Sequence, residues 1–301
     1  MQFKRIKKNI NGVLLLDKPL GYSSNQALQK AKWLLQAAKA GHTGTLDPLA
    51  TGLLPLCFGE ATKFAHYLTD ADKTYFATIK LGITTNTGDA EGEVIASKPV
   101  NVSQLQFEQA CNAFIGESSQ IPPMYSALKH EGKALYEYAR AGVEIERKSR
   151  LITIHHITQN TFERDVASIT ISCSKGTYIR TLAEDIGNML GCGAHLIGLR
   201  RTATANYNII QAITLEQFEA MTAEQRLAAL MPLDSAVAHL PAITLNADSC
   251  FYLQQGQAVW QSGKIPQGLL RLYNESQDFL GLGEQQSDGK IAPKRLVVQS
   301  L

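Results

Sequence analysis

The sequence lacks the motifs by which many enzymes hold nucleotide cofactors and metals. No GxGxxG follows a predicted strand, no GxxxxGK[ST] loop occurs, and there is no HExxH or Cys/His cluster. The five cysteines are scattered and form no CxxC pair, which favours reduced thiols over a disulfide framework or a zinc site. His155 and His156 are adjacent on a predicted strand, where alternation should bury one and expose the other. We therefore expect no cofactor and no metal.

The sequence also has little net charge and no long apolar run at its start. A net charge of +2 means that a polyanion would have to be recognised through local basic patches. The apolar run Val13 to Leu16 ends at Asp17 and Lys18, which is neither a signal peptide nor a membrane span. With 301 residues, 45% of them hydrophobic and 19% charged, the chain is predicted to be globular and cytoplasmic, with one large and one smaller domain.

Local patterns predict alternating helices and strands. A serine N-cap and an apolar stripe predict a helix that runs to Ala38 and stops at Gly41, and Ser103 with Gln106 resembles a capping box. The run 73–82 and the segment EVIA are predicted to pair as a hairpin. Further predictions are a strand at 13–16, a helix at 60–68, a strand at 166–173, a helix at 181–190, a strand at 195–201, a helical segment at 215–230 and a small β domain from about 240.

The segment 121–150 combines positive charge with aromatic side chains. Three tyrosines lie among six basic residues, which are Lys129, Lys133, Arg140, Arg147, Lys148 and Arg150. Such a mixture suits a mobile basic arm. For any single lysine there, ordinary solvated charge is the default interpretation.

The polar loop GHTGTLDPLATG concentrates glycines and a proline around a single acid, Asp47. On composition alone, an aspartate before a proline is usually a turn or cap residue. In the functional alternative, the glycines let the backbone approach a ligand closely while Pro48 stiffens the position of the carboxylate.

Six motifs in order carry a family resemblance. GHTGTLDPLATGLLP, GEATKF, DKTYFATIKLG, IPPMYSALK, KGTYIRTLAEDIG and GLRRT span most of residues 11 to 202, and the chain thereby resembles the TruB-type tRNA pseudouridine synthases. The resemblance implies an α+β pseudouridine-synthase fold with a mixed, largely antiparallel central sheet flanked by helices and loops. It implies a catalytic domain over 1–239, with a basic RNA-contacting insertion at about 121–150 that suits recognition of folded RNA by stacking and phosphate contacts, and a PUA-like RNA-binding β domain over 240–301.

The resemblance also implies a reaction. The substrate would be the uridine at position 55 in the T loop of tRNA, and the product pseudouridine. The bond from N1 of uracil to C1′ breaks, the base rotates, and C5 bonds to C1′, so no electron or group donor is needed. The implied partner is the T arm of tRNA, bound by a monomer that needs no protein partner and no membrane.

Family roles transfer to seven positions. Asp47 matches the nucleophile and Arg180 the cation that keeps it ionised. The other five match substrate-binding residues: Tyr75, which stacks on the base, Tyr178 and Leu199, which line the uracil pocket, His42, near the space that the flipped base leaves, and Lys18. Each of these five has an ordinary structural alternative. Tyr75, Tyr178 and Leu199 could simply pack in the core. His42 could be a turn residue, and Lys18 could be a solvated turn lysine. Whether Asp47 attacks C1′, attacks the ring or assists a glycal route stays open.

Two other functions compete with this one. A tRNA-binding chaperone could retain the fold and remodel RNA without catalysis, and a base-exchanging tRNA glycosylase would share base flipping and an aspartate nucleophile. Intact Asp47, Tyr75 and Arg180 favour the enzyme over the chaperone. The missing cysteine cluster and the order of the motifs weigh against the glycosylase.

Overall fold

The computed structural model describes residues 7–263 and 265–298, and the elements below lie within them. The strands are β1 (Gly12–Lys18), β2 (Ala40–His42), β3 (Ala50–Phe58), β4 (Lys73–Leu81), β5 (Ile83–Thr85), β6 (Val94–Ser97), β7 (Gly116–Gln120), β8 (Lys129–His130), β9 (Lys133–Ala134), β10 (Arg150–Glu163), β11 (Val166–Cys173), β12 (Ala194–Thr204), β13 (Tyr207–Asn208), β14 (Ile213–Thr214), β15 (Ala242–Thr244), β16 (Leu269–Tyr273), β17 (Phe279–Gln285) and β18 (Ile291–Leu296). The helices are α1 (Ser24–Leu35), α2 (Ala65–Asp70), α3 (Gln104–Asn112), α4 (Leu135–Arg140), α5 (Ile179–Met189), α6 (Leu215–Ala220), α7 (Ala223–Ala228) and α8 (Ala247–Gln254).

A large sheet forms the centre of the molecule. Its order is β14-β1-β3-β12-β4-β11-β10-β7, with β2 added beside β3 and β13 beside β12. The pairs β1–β14 and β3–β12 are parallel, and the other neighbours are antiparallel. The expected mixed, largely antiparallel sheet is confirmed.

Strand β1 is buried on both faces, which explains its unbroken apolar run. Leu14 and Leu16 pack in one hydrophobic cluster with α1, α3 and α5, whereas Val13 and Leu15 pack in a second cluster on the opposite face. Because successive side chains of a strand point to opposite faces, a strand covered on both sides needs apolar residues at every position. The predicted strand at 13–16 is confirmed and extended to Lys18.

Local signals fix two helix starts. Ser23 and Gln26 form a capping box before α1, and Ser103 and Gln106 form one before α3, as their spacing predicts. The predicted continuation of the first helix to Ala38 is wrong. Helix α1 ends at Leu35 because Gln36 adopts the left-handed conformation, with φ of 55°, and turns the chain toward β2.

Three other expectations are corrected. Strand β4 does not pair with the EVIA segment: it lies between β11 and β12, and the hairpin is the short pair of β5 with β6. His155 and His156 are both exposed, because β10 has an irregularity in register between Ile154 and His156 that breaks alternation. The predicted helical segments at 60–68 and 215–230 are each split, the first into a 3₁₀ helix (Gly59–Lys63) and α2, the second into α6 and α7.

The C-terminal region is a small β domain packed on the large one. Its sheet has the order β15-β16-β17-β18, and its own core includes Leu253 and Leu270. Leu282 of β17 is fully buried in the second hydrophobic cluster of the large domain, and the rings of Phe64 and Phe279 lie 5.5 Å apart in an edge arrangement. Across the described part of the chain, no helix is long and apolar enough to cross a membrane.

Candidate active site

The loop 43–49, between β2 and β3, carries Asp47 and is held by hydrogen bonds along its length. The backbone N–H of Thr43 donates to the carbonyl of Pro55 (3.1 Å), and Gly21 donates to the carbonyl of Pro48 (2.9 Å). The Ser24 hydroxyl, at the first position of α1, accepts from the N–H of Leu46 (2.7 Å) and donates to its carbonyl (3.0 Å). The residue just before Asp47 is therefore anchored at both its backbone groups.

Two of the glycines in this region have a clear steric reason. Gly44 and Gly52 have φ angles of 103° and 101°, which disfavour other residues. A Cβ atom on Gly52 would lie 2.3 Å from the carbonyl oxygen of Arg201 in the neighbouring strand. Gly52 thus permits a close approach of backbone to backbone beneath the loop, and Gly44 supplies a backbone conformation that other residues rarely adopt.

Arg180 lies in the first turn of α5 and joins three parts of the chain. Its Nη2 is 3.1 Å from Oδ2 of Asp47, and its Nη1 is 3.4 Å from Oδ2 of Asp89. Nη1 also donates to the carbonyl of Thr87 (3.0 Å), and Nη2 to the carbonyl of Tyr125 (2.5 Å). The Arg180 side chain is 5% exposed and that of Asp89 4%, whereas that of Asp47 is 40% exposed. The Asp47 carboxylate is thus held by a buried arginine and remains partly exposed to solvent.

Opposing influences act on the pKa of the Asp47 carboxyl. Burial raises the pKa of the Asp47 carboxyl, and the Arg180 guanidinium opposes that rise, while Asp89 adds to it. Since one buried arginine serves two carboxylates, its loss would leave both without a close cation among the described ion pairs.

Lys18 lies at the end of β1 and is completely buried, so the solvated turn lysine is wrong for this residue. Its Nζ donates to the carbonyls of Pro19 (2.9 Å) and Tyr22 (2.5 Å). Burial lowers the pKa of Lys18 to about 8, although the carboxylates of Asp47 and Glu91 raise it in part. Lys18 is therefore a second basic residue, after Arg180, whose charge interacts with that of Asp47.

The remaining four residues lie around the same loop. Tyr75 is buried on β4, and burial raises the pKa of its phenol. Leu199 is half-buried on β12, opposite Ala50, the first residue of β3 after the loop. Tyr178 immediately precedes α5, and the Arg150 guanidinium carbon lies 5.7 Å from its ring centroid. His42 ends β2, and its buried Nδ1 has no hydrogen-bond partner among the described residues.

Four of the other assigned residues interact with Asp47, namely Arg180, Lys18, Tyr75 and Tyr178. His42 and Leu199 lie beside its loop, the first in the chain and the second in strand register. The charge of Asp47 influences the pKa of Lys18, Tyr75 and Tyr178, which places all three within electrostatic range of the carboxylate. No group of histidine, cysteine or acidic side chains that could hold a metal ion occurs in residues 7–263 and 265–298.

Four further residues were not identified from the sequence. Asp89 shares Arg180 with Asp47, and Ser24 anchors Leu46. Gln120 clamps the backbone of Tyr178, accepting from its N–H (2.8 Å) and donating to its carbonyl (3.1 Å). Arg201, in the GLRRT motif, donates to the carbonyl of Gly44 (3.3 Å). Arg201 lies within the GLRRT motif and Gln120 directly before IPPMYSALK, but nothing in the motifs tells which polar side chains are buried.

Comparisons with known proteins agree over the whole chain. Residues 32–179 match the N-terminal domain model of the TruB family of pseudouridylate synthases, residues 180–238 match a C-terminal domain model of tRNA pseudouridylate synthase B, and residues 241–297 match the C-terminal model of pseudouridine synthase II TruB. The tRNA pseudouridine synthase B of Methylobacillus flagellatus is 61% identical over 300 residues, covering 100% of this chain and 99% of its own. That of Pseudomonas aeruginosa is 53% identical, covering 98% and 99%.

Solved structures agree on the fold. A chain from a Cbf5–Nop10–Gar1 complex aligns with a TM-score of 0.72 at 27% identity, covering 96% of this chain and 84% of that one. A chain from an H/ACA RNP bound to a substrate RNA aligns with a TM-score of 0.73 at 22% identity, which bears on the fold alone; it covers 99% of this chain and 93% of that one. From the matched domains and the full-length relatives, the chain belongs to the TruB family of pseudouridylate synthases.

Proposed function

We propose that this protein converts uridine to pseudouridine at position 55 in the T loop of tRNA, with Asp47 as the nucleophile. The observation that carries the proposal is the Asp47–Arg180 pair, 3.1 Å apart, in which the arginine is buried and the carboxylate is open to a ligand. The names of the full-length relatives supply the substrate class, tRNA.

The chemistry suits a carboxylate. The N1–C1′ bond breaks, the C5–C1′ bond forms, C5 loses a proton and N1 gains one, so the sum of atoms is unchanged. A carboxylate can form a covalent adduct and leave again, which divides one difficult step into easier ones. In this proposal the target base leaves its stack to reach Asp47, because a base stacked inside a folded T loop cannot present its reacting atoms to a protein side chain.

The other side chains take supporting roles in this proposal. Arg180 keeps Asp47 ionised and aimed, and Tyr75 stacks on the base. Tyr178 and Leu199 line the uracil pocket. His42 lies near the space that the flipped base leaves, and Lys18 adds positive charge beneath the loop.

Recognition of the rest of the tRNA is assigned to two regions. In the segment 121–150, Lys133 lies 4.8 Å from the ring centroid of Tyr138, and Arg140 lies 5.4 Å from that of Tyr136. Such pairs present a cation and an aromatic face together, which suits stacking and phosphate contacts. The division into a catalytic domain, 1–239, and an RNA-binding domain, 240–301, is part of the same proposal, as are a monomeric state and a cytoplasmic location.

The test is incubation of unmodified tRNA with the wild-type chain and with Asp47→Asn, followed by base-resolution mapping of pseudouridine. We expect pseudouridine at position 55 with the wild type and a loss of rate by about 10⁴-fold or more with Asp47→Asn. Affinity for tRNA should stay within about tenfold, because the nucleophile contributes to chemistry more than to binding.

Each other outcome points to a different error. A fully active Asn variant would reject Asp47 as the nucleophile. A wild type that binds and remodels tRNA but forms no pseudouridine would favour the chaperone, and pseudouridine at another position would reject the T-loop assignment.

A further inference from the structure

Arg201 is a buried arginine directly beneath the loop of Asp47. It lies on β12 and is 1% exposed, one of the largest fully buried side chains among the described residues. Its register neighbours are Tyr75 on β4 and Gly52 on β3. The residue therefore lies between the strand that carries the tyrosine and the strand that follows the nucleophile loop.

The Arg201 guanidinium bonds to backbone rather than to acids. Its Nε donates to the carbonyl of Leu53 (2.7 Å), and its Nη2 to that of Gly44 (3.3 Å). Within the described residues it has no carboxylate partner, whereas the adjacent Arg200 forms a two-pronged pair with Asp17 at 3.1 and 2.6 Å. Burying a charge without a counter-ion costs free energy, so stability of the core does not explain an arginine here.

The guanidinium also acts on groups that face the proposed substrate. Burial raises the pKa of Tyr75, and the charge of Arg201 and a hydrogen bond from it oppose that rise. Burial lowers the pKa of His42, and Arg201 lowers it further. The effect on Tyr75 agrees with the register, which sets Arg201 directly opposite this residue.

We infer that Arg201 is a positioning residue for the isomerisation: it ties the loop of Asp47, through the carbonyl of Gly44, to the strand of Tyr75. The inference rests on the proposed function and deepens it. In this role Arg201 holds the proposed nucleophile at a constant distance from the tyrosine ring on which the base stacks.

Loss of this tie has a direct consequence for rate. The carbonyl of Gly44 would lose its donor, and the loop would shift to find another. A displacement of about 1 Å at a reacting group can lower a rate by about 100-fold. Binding of tRNA should be affected much less, because Arg201 is buried and cannot contact RNA.

The experiment measures single-turnover rates with enzyme in excess over tRNA and at saturation. Under these conditions an inactive fraction of enzyme lowers the effective concentration but not the rate constant, so a purely structural defect leaves the constant unchanged. We expect Arg201→Met to lower it by about 100-fold and Arg201→Lys by about tenfold, since an ammonium ion cannot serve two carbonyls in the geometry of a guanidinium. The Kd for tRNA should change by less than about threefold.

Arg200→Met is the matched control. It removes the neighbouring guanidinium on the same strand, which is half-exposed and paired with Asp17, and it should leave the rate constant within about threefold. A second measurement combines Arg201→Met with Tyr75→Phe. Because the two side chains interact, their effects should be less than additive.

A wild-type rate constant in Arg201→Met would overturn the inference, as would full additivity with Tyr75→Phe or an equal loss in Arg200→Met. If Arg201→Met fails to fold, Arg201→Lys decides: a loss of about tenfold supports the inference, and a wild-type rate constant contradicts it. A wild-type chain that forms no pseudouridine would reject the proposed function itself, whereas an active wild type with an unaffected Arg201 variant would reject only the positioning role.

Discussion

The loop of Asp47 and the segment 121–150 are both loop-rich, yet they are built in opposite ways. In the loop 43–49, backbone groups of Thr43, Gly44, Leu46 and Pro48 are bonded to the surrounding strands and to α1. In the segment 121–150 most residues are exposed, and Leu135 is one of few that are buried. In the proposed function, the group aimed at the reacting atom is thus the one held in place, and the side chains proposed to meet RNA are the ones left in solvent. The two regions meet at Arg180, which bonds to both Asp47 and the carbonyl of Tyr125.

The largest change expected from breaking this arrangement follows from Arg180→Met. The pKa of Asp47, already raised by burial, should rise further without the guanidinium, so a larger fraction of the carboxyl is protonated at neutral pH. We expect the single-turnover rate at pH 7 to fall by roughly 100- to 1,000-fold. Since the ionised form is the active one, the rate should recover in part as pH rises, and the acid limb of the profile should lie at higher pH than in the wild type.

Arg180→Lys is the comparison variant. It restores a charge but not the fork that serves two carboxylates and two carbonyls, so rescue should be partial. A Met variant with near-wild-type rates at every pH would reject the charge pair as a part of the mechanism.

A smaller effect is expected from Ser24→Ala, which loosens the loop without changing any charge. The N–H and carbonyl of Leu46 lose their shared partner in a buried place. Unfolding free energy should fall by about 1–3 kcal/mol, and the single-turnover rate by about tenfold because Asp47 is adjacent. Ser23→Ala, which removes the capping box of α1 but no bond to the loop, is the control. A drop in stability with an unchanged rate would show that the loop keeps its geometry without Ser24.

The smallest effect on catalysis is expected in the exposed region. Neutralising Lys129, Lys133 and Lys148 should weaken the salt dependence of tRNA binding. The slope of the logarithm of the association constant against the logarithm of the salt concentration should become shallower by about two units, if each lysine contacts one phosphate. Arg150 is left intact because its guanidinium lies 5.7 Å from the Tyr178 ring, and its removal would disturb the pocket. The single-turnover rate at saturation should stay within about twofold of the wild type. An unchanged salt slope would show that the segment is not in contact with the RNA.

The sequence predicted well where the signal was local. The capping boxes at Ser23 and Ser103 and the two-sided burial of β1 follow from neighbouring residues alone. The predicted pairing of 73–82 with EVIA was wrong because strand pairing is not a local property. The partners of β4 lie far along the chain, in β11 and β12, and the residue pattern of a strand does not specify its neighbour.

The candidate site divides in the same way. Asp47 and Arg180 were assigned by resemblance, and the structure brings them to 3.1 Å. Asp89, Gln120 and Ser24 could not be assigned, because each acts through a bond to a residue distant in sequence. Of the adjacent Arg200 and Arg201, only the fold decides which is buried. For Lys18 the sequence left a substrate-binding residue and a solvated turn lysine open, and the structure encloses the side chain completely.

The burial of Leu282 has a consequence for how the protein unfolds. This side chain of β17 belongs to the same apolar cluster as Leu15, Leu53 and Phe64, and Val298 donates a hydrogen bond to Glu60 across the junction. Removing residues 240–301 would therefore uncover core surface of the larger part, at about 25 cal/mol for each Å² of apolar area exposed. The boundary near residue 240 marks a change of sheet, but the apolar cluster extends across it, so we expect the two parts to unfold together.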